Sequence, residues 1–181
     1  QDFMGYWREY CLENNFVCPQ ILVPGGITRF HSVRNALDRV PEGALVAVHD
    51  GVRPLLSEGL VRDMFEKAEG VPALIPVTPC VDTMKVLESK DGELVTVPGA
   101  KADRSVLYGA QTPQIFHSEI LKEAYAMPYD TSFTDDASVV EKYGKSLFYV
   151  VGERLNIKIT TQDDLLLARA ILSVKSQDYS L

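Results

Sequence analysis

The stretch ALVAVHDGVRP, residues 44–54, decides the fold. Ala44 to Val48 form an unbroken apolar run of strand length, followed at once by the polar turn His49-Asp50-Gly51. A run with no polar alternation marks a strand covered on both faces. Ala73 to Val77 repeats the pattern, and between the two lies an amphipathic segment, Ser57 to Ala68. Ser57 suits an N-cap, and Glu58 places a negative charge in the first turn, so this segment is expected to be helical. Strand, helix and strand in that order predict parallel α/β layers.

The same rhythm extends in both directions. Upstream, Gln20 to Val23 reads as a strand ending in Pro24-Gly25-Gly26, and His31 to Leu37 begins a helix. Asp2 to Asn15 reads as a further helix, with Phe3, Tyr6, Trp7, Tyr10 and Cys11 on one face. Downstream, Thr83 to Ser89 and Glu93 to Val97 flank the turn Lys90-Asp91-Gly92, which predicts an antiparallel hairpin. An isolated hairpin is marginal in water, so this one is expected to lie against another surface, such as a second subunit. Val106 to Phe116 carries Gln111-Thr112-Pro113-Gln114, and a helix follows from Ser118. Thr134 is expected to cap a helix running to about Tyr143; Ser146 to Val151 and Asn156 to Thr160 read as strands, and Thr161 caps the last helix. With no repeat or linker, residues 1–181 are expected to form one domain, carrying an arm over about 82–105.

Composition narrows the functions open to such a chain. The 181 residues are 46% hydrophobic and 24% charged, which suits a packed domain and not a disordered one. A net charge of −7 argues against a general nucleic-acid or anionic-membrane binder. Screening over roughly 8 Å still leaves room for a local basic pocket. Cys11, Cys18 and Cys80 are scattered and odd in number, which fits reduced thiols in the cytoplasm better than a disulfide frame. His31, His49 and His117 do not pair at ligand spacing, so a transition-metal centre is not expected. A magnesium ion held by carboxylate and phosphate oxygens stays open.

In open α/β sheets, ligands bind beyond the carboxyl ends of the strands. Three clusters fall there: Gly25-Gly26 through Ser32, His49-Asp50 through Arg53, and Asn156 through Thr160. The glycine pair serves either as a plain turn or as a close backbone approach to a flat ligand. Asp50 with Arg53 combines a metal-capable carboxylate and a phosphate-gripping cation, although spacing by itself favours a surface ion pair. Thr134-Asp135-Asp136 is explained by capping and by the helix dipole. Arg104 and Lys158 are solvated cations unless an anion is shared between them.

At these residues the sequence resembles the 2-C-methyl-D-erythritol 4-phosphate cytidylyltransferase family. The resemblance runs through Gly25-Gly26-Ile27-Thr28-Arg29, Ser32-Val33, His49-Asp50-Gly51-Val52-Arg53-Pro54 and Val81-Asp82-Thr83-Met84-Lys85. It continues through Arg104, Gln111-Thr112-Pro113-Gln114, Thr134-Asp135-Asp136-Ala137-Ser138 and Asn156-Ile157-Lys158-Ile159-Thr160. It implies a Rossmann-like nucleotidyltransferase fold, with a mainly parallel sheet, helices on both faces and a protruding β-hairpin arm. By the same resemblance, Gly26, Ile27 and Ser32 read the cytosine of CTP, and Asp50 and Gly51 line the nucleotide, with Asp50 beside Mg²⁺. Arg53, Thr134 and Lys158 hold the polyol phosphate, Thr83 and Thr112 line the substrate site, and Arg104 reaches across a homodimer with the arm. Arg104 and Lys158 are the implied charge-stabilising pair.

Two departures stand beside the match. The family's Gly-rich first loop, with its Arg and Lys, has no counterpart here. Its place would precede Gln1, which implies an N-terminally truncated domain and poor turnover by these residues alone. HDGVRP also replaces the commoner HDAARP, and a similar HD-x-VRP form occurs in the related ribitol-phosphate cytidylyltransferases. Those enzymes are the first alternative; a non-catalytic nucleotide-binding module and a structural dimerisation module are the others.

Overall fold

The computed structural model describes residues 3–178. Helix α1 (Phe3–Glu13) leads through an extended segment to α2 (Arg29–Leu37), β1 (Leu45–Val48), α3 (Glu58–Ala68) and β2 (Ala73–Pro79). A hairpin follows, β3 (Leu87–Lys90) and β4 (Glu93–Thr96), then β5 (Tyr108–Ala110), β6 (Gln114–His117) and α4 (Ser118–Tyr125). The chain closes with α5 (Asp136–Lys142), β7 (Phe148–Val151) and α6 (Gln162–Asp178).

Five strands share one sheet, ordered β1-β6-β2-β5, with β7 also paired to β2. Helices do lie on both of its faces, and strand periodicity shows how. In β2, Ala73 and Ile75 point to one side, where they meet Phe116 of β6, Phe30 and Leu37 of α2, Leu121 and Tyr125 of α4, and Val139 and Val140 of α5. Leu74 and Ile115 point to the other side and pack with Met64 and Ala68 of α3. Each fully buried side chain of this size contributes about 1.5–3 kcal/mol. That explains why Ala73–Ile75 and Ile115–Phe116 carry no polar alternation. Rings of Phe30 and Tyr125 stack at 4.6 Å, locking α2 to α4.

The expectation of a mainly parallel sheet is corrected. Among the described residues only β2–β7 is a parallel pair of the main sheet, whereas β1–β6, β6–β2 and β2–β5 are antiparallel. The apolar runs that suggested parallel neighbours, β1 and β2, do point the same way, but β6 lies between them. The chain leaves β2 through a hairpin and returns with no crossover helix, so β5 and β6 must run opposite to β2. Burial on both faces makes strands apolar whichever way they point.

Smaller expectations also shift. Gln20–Val23 and Asn156–Thr160 belong to no strand. Ile21 is 70% exposed, and the second segment is tied by Ile159 N donating to Val52 O, not by a ladder. Asp2 lies outside the described residues. On α1, Cys11 is buried while Phe3, Tyr6 and Tyr10 are exposed. The α5 cap is Asp135, not Thr134: Asp135 Oδ1 accepts from Ser138 N at 2.8 Å, and Ser138 Oγ bonds back to the cap backbone. Ser57 caps α3 as expected, accepting from Leu60 N at 3.1 Å. Asp164 N donates to Thr161 Oγ1 at 3.2 Å.

The hairpin forms its own two-stranded sheet. Asp91 and Gly92 have φ of 52° and 87°, the pair of left-handed residues that a tight two-residue hairpin turn requires. All of β3 is exposed.

Candidate functional site

The carboxyl ends of β1 and β7 lie beside the amino end of β6, and a cleft of about 240 Å³ opens there. Asp50, just past β1, is its hub. Lys158 Nζ lies 3.1 Å and Arg53 Nε 3.6 Å from Asp50 Oδ2, while Arg29 Nη2 lies 3.6 Å from Oδ1. Burial pushes the Asp50 carboxyl upward. The hydrogen bond and charge of Lys158, joined by Arg29 and Arg53, outweigh that and hold it below its ordinary value.

Backbone anchors fix this hub. Asp50 N donates to Thr112 Oγ1 at 2.9 Å, and that hydroxyl also meets His49 Nδ1 at 3.0 Å. Arg53 Nη1 donates to Asn156 O at 2.8 Å, and Asn156 Nδ2 donates to Thr112 O at 2.9 Å. Gln111 donates to Glu153 O at 2.8 Å, tying the loop after β5 to the loop after β7. Among the described residues, Arg53 Nε and Asn156 Oδ1 are buried polar side-chain atoms without a hydrogen-bond partner. Such atoms are costly, and they are expected where a ligand or an ordered water completes the set.

Arg29 continues the network into the core. Its Nη2 donates to Asp136 Oδ2 at 2.5 Å, and the Tyr125 hydroxyl donates to Asp136 Oδ1 at 2.5 Å. Burial lowers the readiness of Arg29 to hold its proton, but the hydrogen bond and charge of Asp136 reverse this and raise it. Burial, with the Asp136 charge second, pushes the Tyr125 phenol upward.

Five of the residues expected from sequence line this one cleft: Asp50, Arg53, Thr112, Thr134 and Lys158. Gly51 sits in the exposed turn beside it. Gly26 and Ile27 occupy the loop into α2 and Ser32 its first turn, all outside the lining. There Gly26 N donates to Ser32 Oγ at 3.0 Å, and Ile27 is 90% exposed. Gly26 has a steric reason to be glycine, since a Cβ would come within 2.3 Å of His31 Cβ. Thr83 and Arg104 are exposed and also outside the lining; Arg104 Nη1 donates to Val81 O at 3.1 Å.

The sequence reading assigned no role to Arg29, Asn156, Gln114 or the Asp136–Tyr125 pair. Asp136, read as a helix-dipole acid, is fully buried. Its position beside the apolar Ala137 and Val139-Val140 was the available signal. Asp50 offers one carboxylate to a divalent cation, and among the described residues no three of His, Cys, Asp and Glu converge as a metal cage. That fits magnesium only in the mode where substrate phosphates and water supply the remaining ligands.

The profile of the 2-C-methyl-D-erythritol 4-phosphate cytidylyltransferase family matches residues 10–174. A Porphyromonas gingivalis protein of that name is 44% identical over 173 residues, covering 95% of this chain and 75% of that protein. A Bacillus licheniformis protein of the same name is 38% identical over 166 residues, covering 91% of this chain and 69% of that one. Among solved structures, 4-diphosphocytidyl-2C-methyl-D-erythritol synthase from Anaerococcus prevotii superposes with a TM-score of 0.76 at 29% identity, covering 96% of this chain and 75% of that one. The Thermus thermophilus 2-C-methyl-D-erythritol 4-phosphate cytidylyltransferase gives 0.69 at 34% identity, covering 85% and 75%. All four names contain methylerythritol, and none contains ribitol.

Proposed function

The chain belongs to the 2-C-methyl-D-erythritol 4-phosphate cytidylyltransferase family, and from that premise we propose how its cleft carries out cytidylyl transfer. The reaction joins CTP to 2-C-methyl-D-erythritol 4-phosphate. An acceptor phosphate oxygen bonds to the α-phosphorus, the bond to the bridging oxygen breaks, and pyrophosphate leaves with that electron pair. No protein nucleophile is required. The work is to hold two mutually repelling anions in line and to stabilise the charge that develops.

The observation that carries the reading is the convergence of Arg29, Arg53 and Lys158 on Asp50 at the mouth of one cleft. Lys158, 47% exposed, is free to swing from Asp50 to an incoming phosphate. Arg53 is fixed by Asn156 and presents a planar donor edge, and Thr134 is a further hydroxyl in the lining. These three hold the acceptor phosphate, and Thr112 sets the floor. Asp50 faces the nucleotide half, where bound magnesium supplies charge neutralisation of the triphosphate. Gly51 lies beside it, and Gly26, Ile27 and Ser32 form the rim that meets the cytosine.

Thr83 and Arg104 stand outside the cleft of their own chain, next to an exposed hairpin. They are assigned to the cleft of a partner copy, with the hairpin as the arm of a homodimer. Among the described residues no helix is long and apolar enough to cross a membrane. The cytoplasm is the compartment assigned to the reaction, in keeping with two highly charged substrates.

The test, carried out on the full-length protein, is pyrophosphate release from CTP and Mg²⁺ with each polyol phosphate. Methylerythritol phosphate is expected to be the better acceptor. Lys158→Met should lower kcat/KM for it about a hundredfold, with CTP affinity little changed. Preference for ribitol phosphate, or an unaltered Lys158→Met rate, would overturn the assignment.

A further inference from the structure

The cations around Asp50 are held unequally. Lys158 reaches Oδ2 from the end of a flexible, half-exposed side chain, and Arg53 approaches the same oxygen. Arg29 takes the other oxygen, Oδ1, and its Nη2 is simultaneously anchored on Asp136, which has no exposed surface. Asp136 is gripped in turn by the Tyr125 hydroxyl of α4, and Tyr125 stacks on Phe30, the residue next to Arg29. One guanidinium nitrogen therefore joins the packed α2–α4–α5 layer to the carboxylate at the end of β1. A guanidinium hydrogen-bonded to Asp136 at 2.5 Å presents its charge to Asp50, 3.6 Å away, from a fixed place, which a freely rotating lysine does not.

We propose that Arg29 is a positioning residue for the nucleotide half of the site. Pinned by buried Asp136, it fixes the orientation of Asp50 and thereby the affinity for magnesium-bound CTP. The inference rests on the assignment of Asp50 to the nucleotide, given above. The simpler role, neutralising a buried acid, predicts effects on stability and none on CTP that pass through Asp50.

The experiment separates the two roles with the neutral pair Arg29→Gln/Asp136→Asn, which leaves no uncompensated buried charge. CTP binding is measured calorimetrically with and without Mg²⁺, beside a thermal melt and steady-state kinetics. The pair should bind CTP·Mg²⁺ about tenfold more weakly, the scale typical of lost support around a metal-site ligand, with KM for the polyol phosphate unchanged. Arg29→Lys, which keeps the buried acid paired, should fall between the pair and the wild type. Adding the pair to Asp50→Asn should cost less than about twofold more, because residues acting through one group are not additive.

CTP affinity of the pair within twofold of wild type, while Asp50→Asn weakens it tenfold, would overturn the inference and leave the Asp50 assignment standing. Losses that multiply in the triple variant would overturn it too. Asp50→Asn binding CTP normally would overturn the assignment itself and this inference with it.

Discussion

Removing either partner of the Arg29–Asp136 pair should destabilise the protein, but by unequal amounts. Asp136 is 0% exposed, whereas the Arg29 side chain is 41% exposed. Arg29→Met strands a buried carboxylate with the Tyr125 hydroxyl as its remaining side-chain donor, a situation that costs about 3–5 kcal/mol. Asp136→Asn leaves Arg29 able to reach water and Asp50, and the new amide oxygen can still accept from Tyr125. Its cost is one charge-assisted hydrogen bond, about 1.5–3 kcal/mol. For a chain of 181 residues each kcal/mol moves Tm by about 2–4 °C. Arg29→Met should therefore melt about 10 °C below wild type and Asp136→Asn about 5 °C below. Urea unfolding at pH 7, followed by circular dichroism with equal m-values required of all three proteins, gives the comparison. An Asp136→Asn loss equal to or larger than that of Arg29→Met would refute the argument, because it would mean that burial does not set the cost.

Ser57→Ala should cost about 1–2 kcal/mol, since the hydroxyl both caps α3 and bonds Glu153; a loss below 0.3 kcal/mol by urea unfolding would contradict the cap. The Asp164 carboxyl, held at about 2 against its ordinary 3.8 by the amides and hydroxyls of Thr160 and Thr161, favours the folded state above pH 4. That contribution fades as pH falls from about 4 through 2, so Asp164→Asn should flatten the stability–pH curve in that window, and identical slopes would contradict it. Mixing Arg104→Met and Lys158→Met subunits should restore part of the activity each has lost, since some hybrid clefts then receive both cations. No recovery after demonstrated subunit exchange would place both residues in one chain's cleft.

The helices and the apolar strands were legible because burial leaves a local trace. Ser57 announced α3, the five apolar residues before His49 announced β1, and Asp91-Gly92 announced the hairpin turn. Strand direction left no such trace. β6 intervenes between β1 and β2 through hydrogen bonds that any apolar strand can make, and only the missing crossover helix after β2 hinted at it. The cleft was legible at Asp50, Arg53 and Lys158 through the family resemblance, since spacing by itself favoured a surface ion pair and a solvated lysine. Arg29 and Asp136 were not, since their contact joins positions 107 residues apart and each has an ordinary local explanation. Asp135 outcompeted Thr134 for the cap because Ser138 lies three residues on and closes the box from the other side.

The hairpin leaves and rejoins the sheet at a single place. Pro79 faces Tyr108 across the β2–β5 ladder, and Cys80 N donates to Leu107 O at 2.9 Å, so the two ends of the excursion are stapled together by the sheet itself. An insertion closed in this way is nearly indifferent to its own length, because doubling a flexible loop adds only about 0.6 kcal/mol of closure entropy. The excursion can therefore be shortened, lengthened or exchanged during descent while the layers beneath it keep their packing. Its tip at Asp91-Gly92 is correspondingly the place where a label disturbs the packed layers least, and a fluorescent pair carried there would report directly on whether two copies meet.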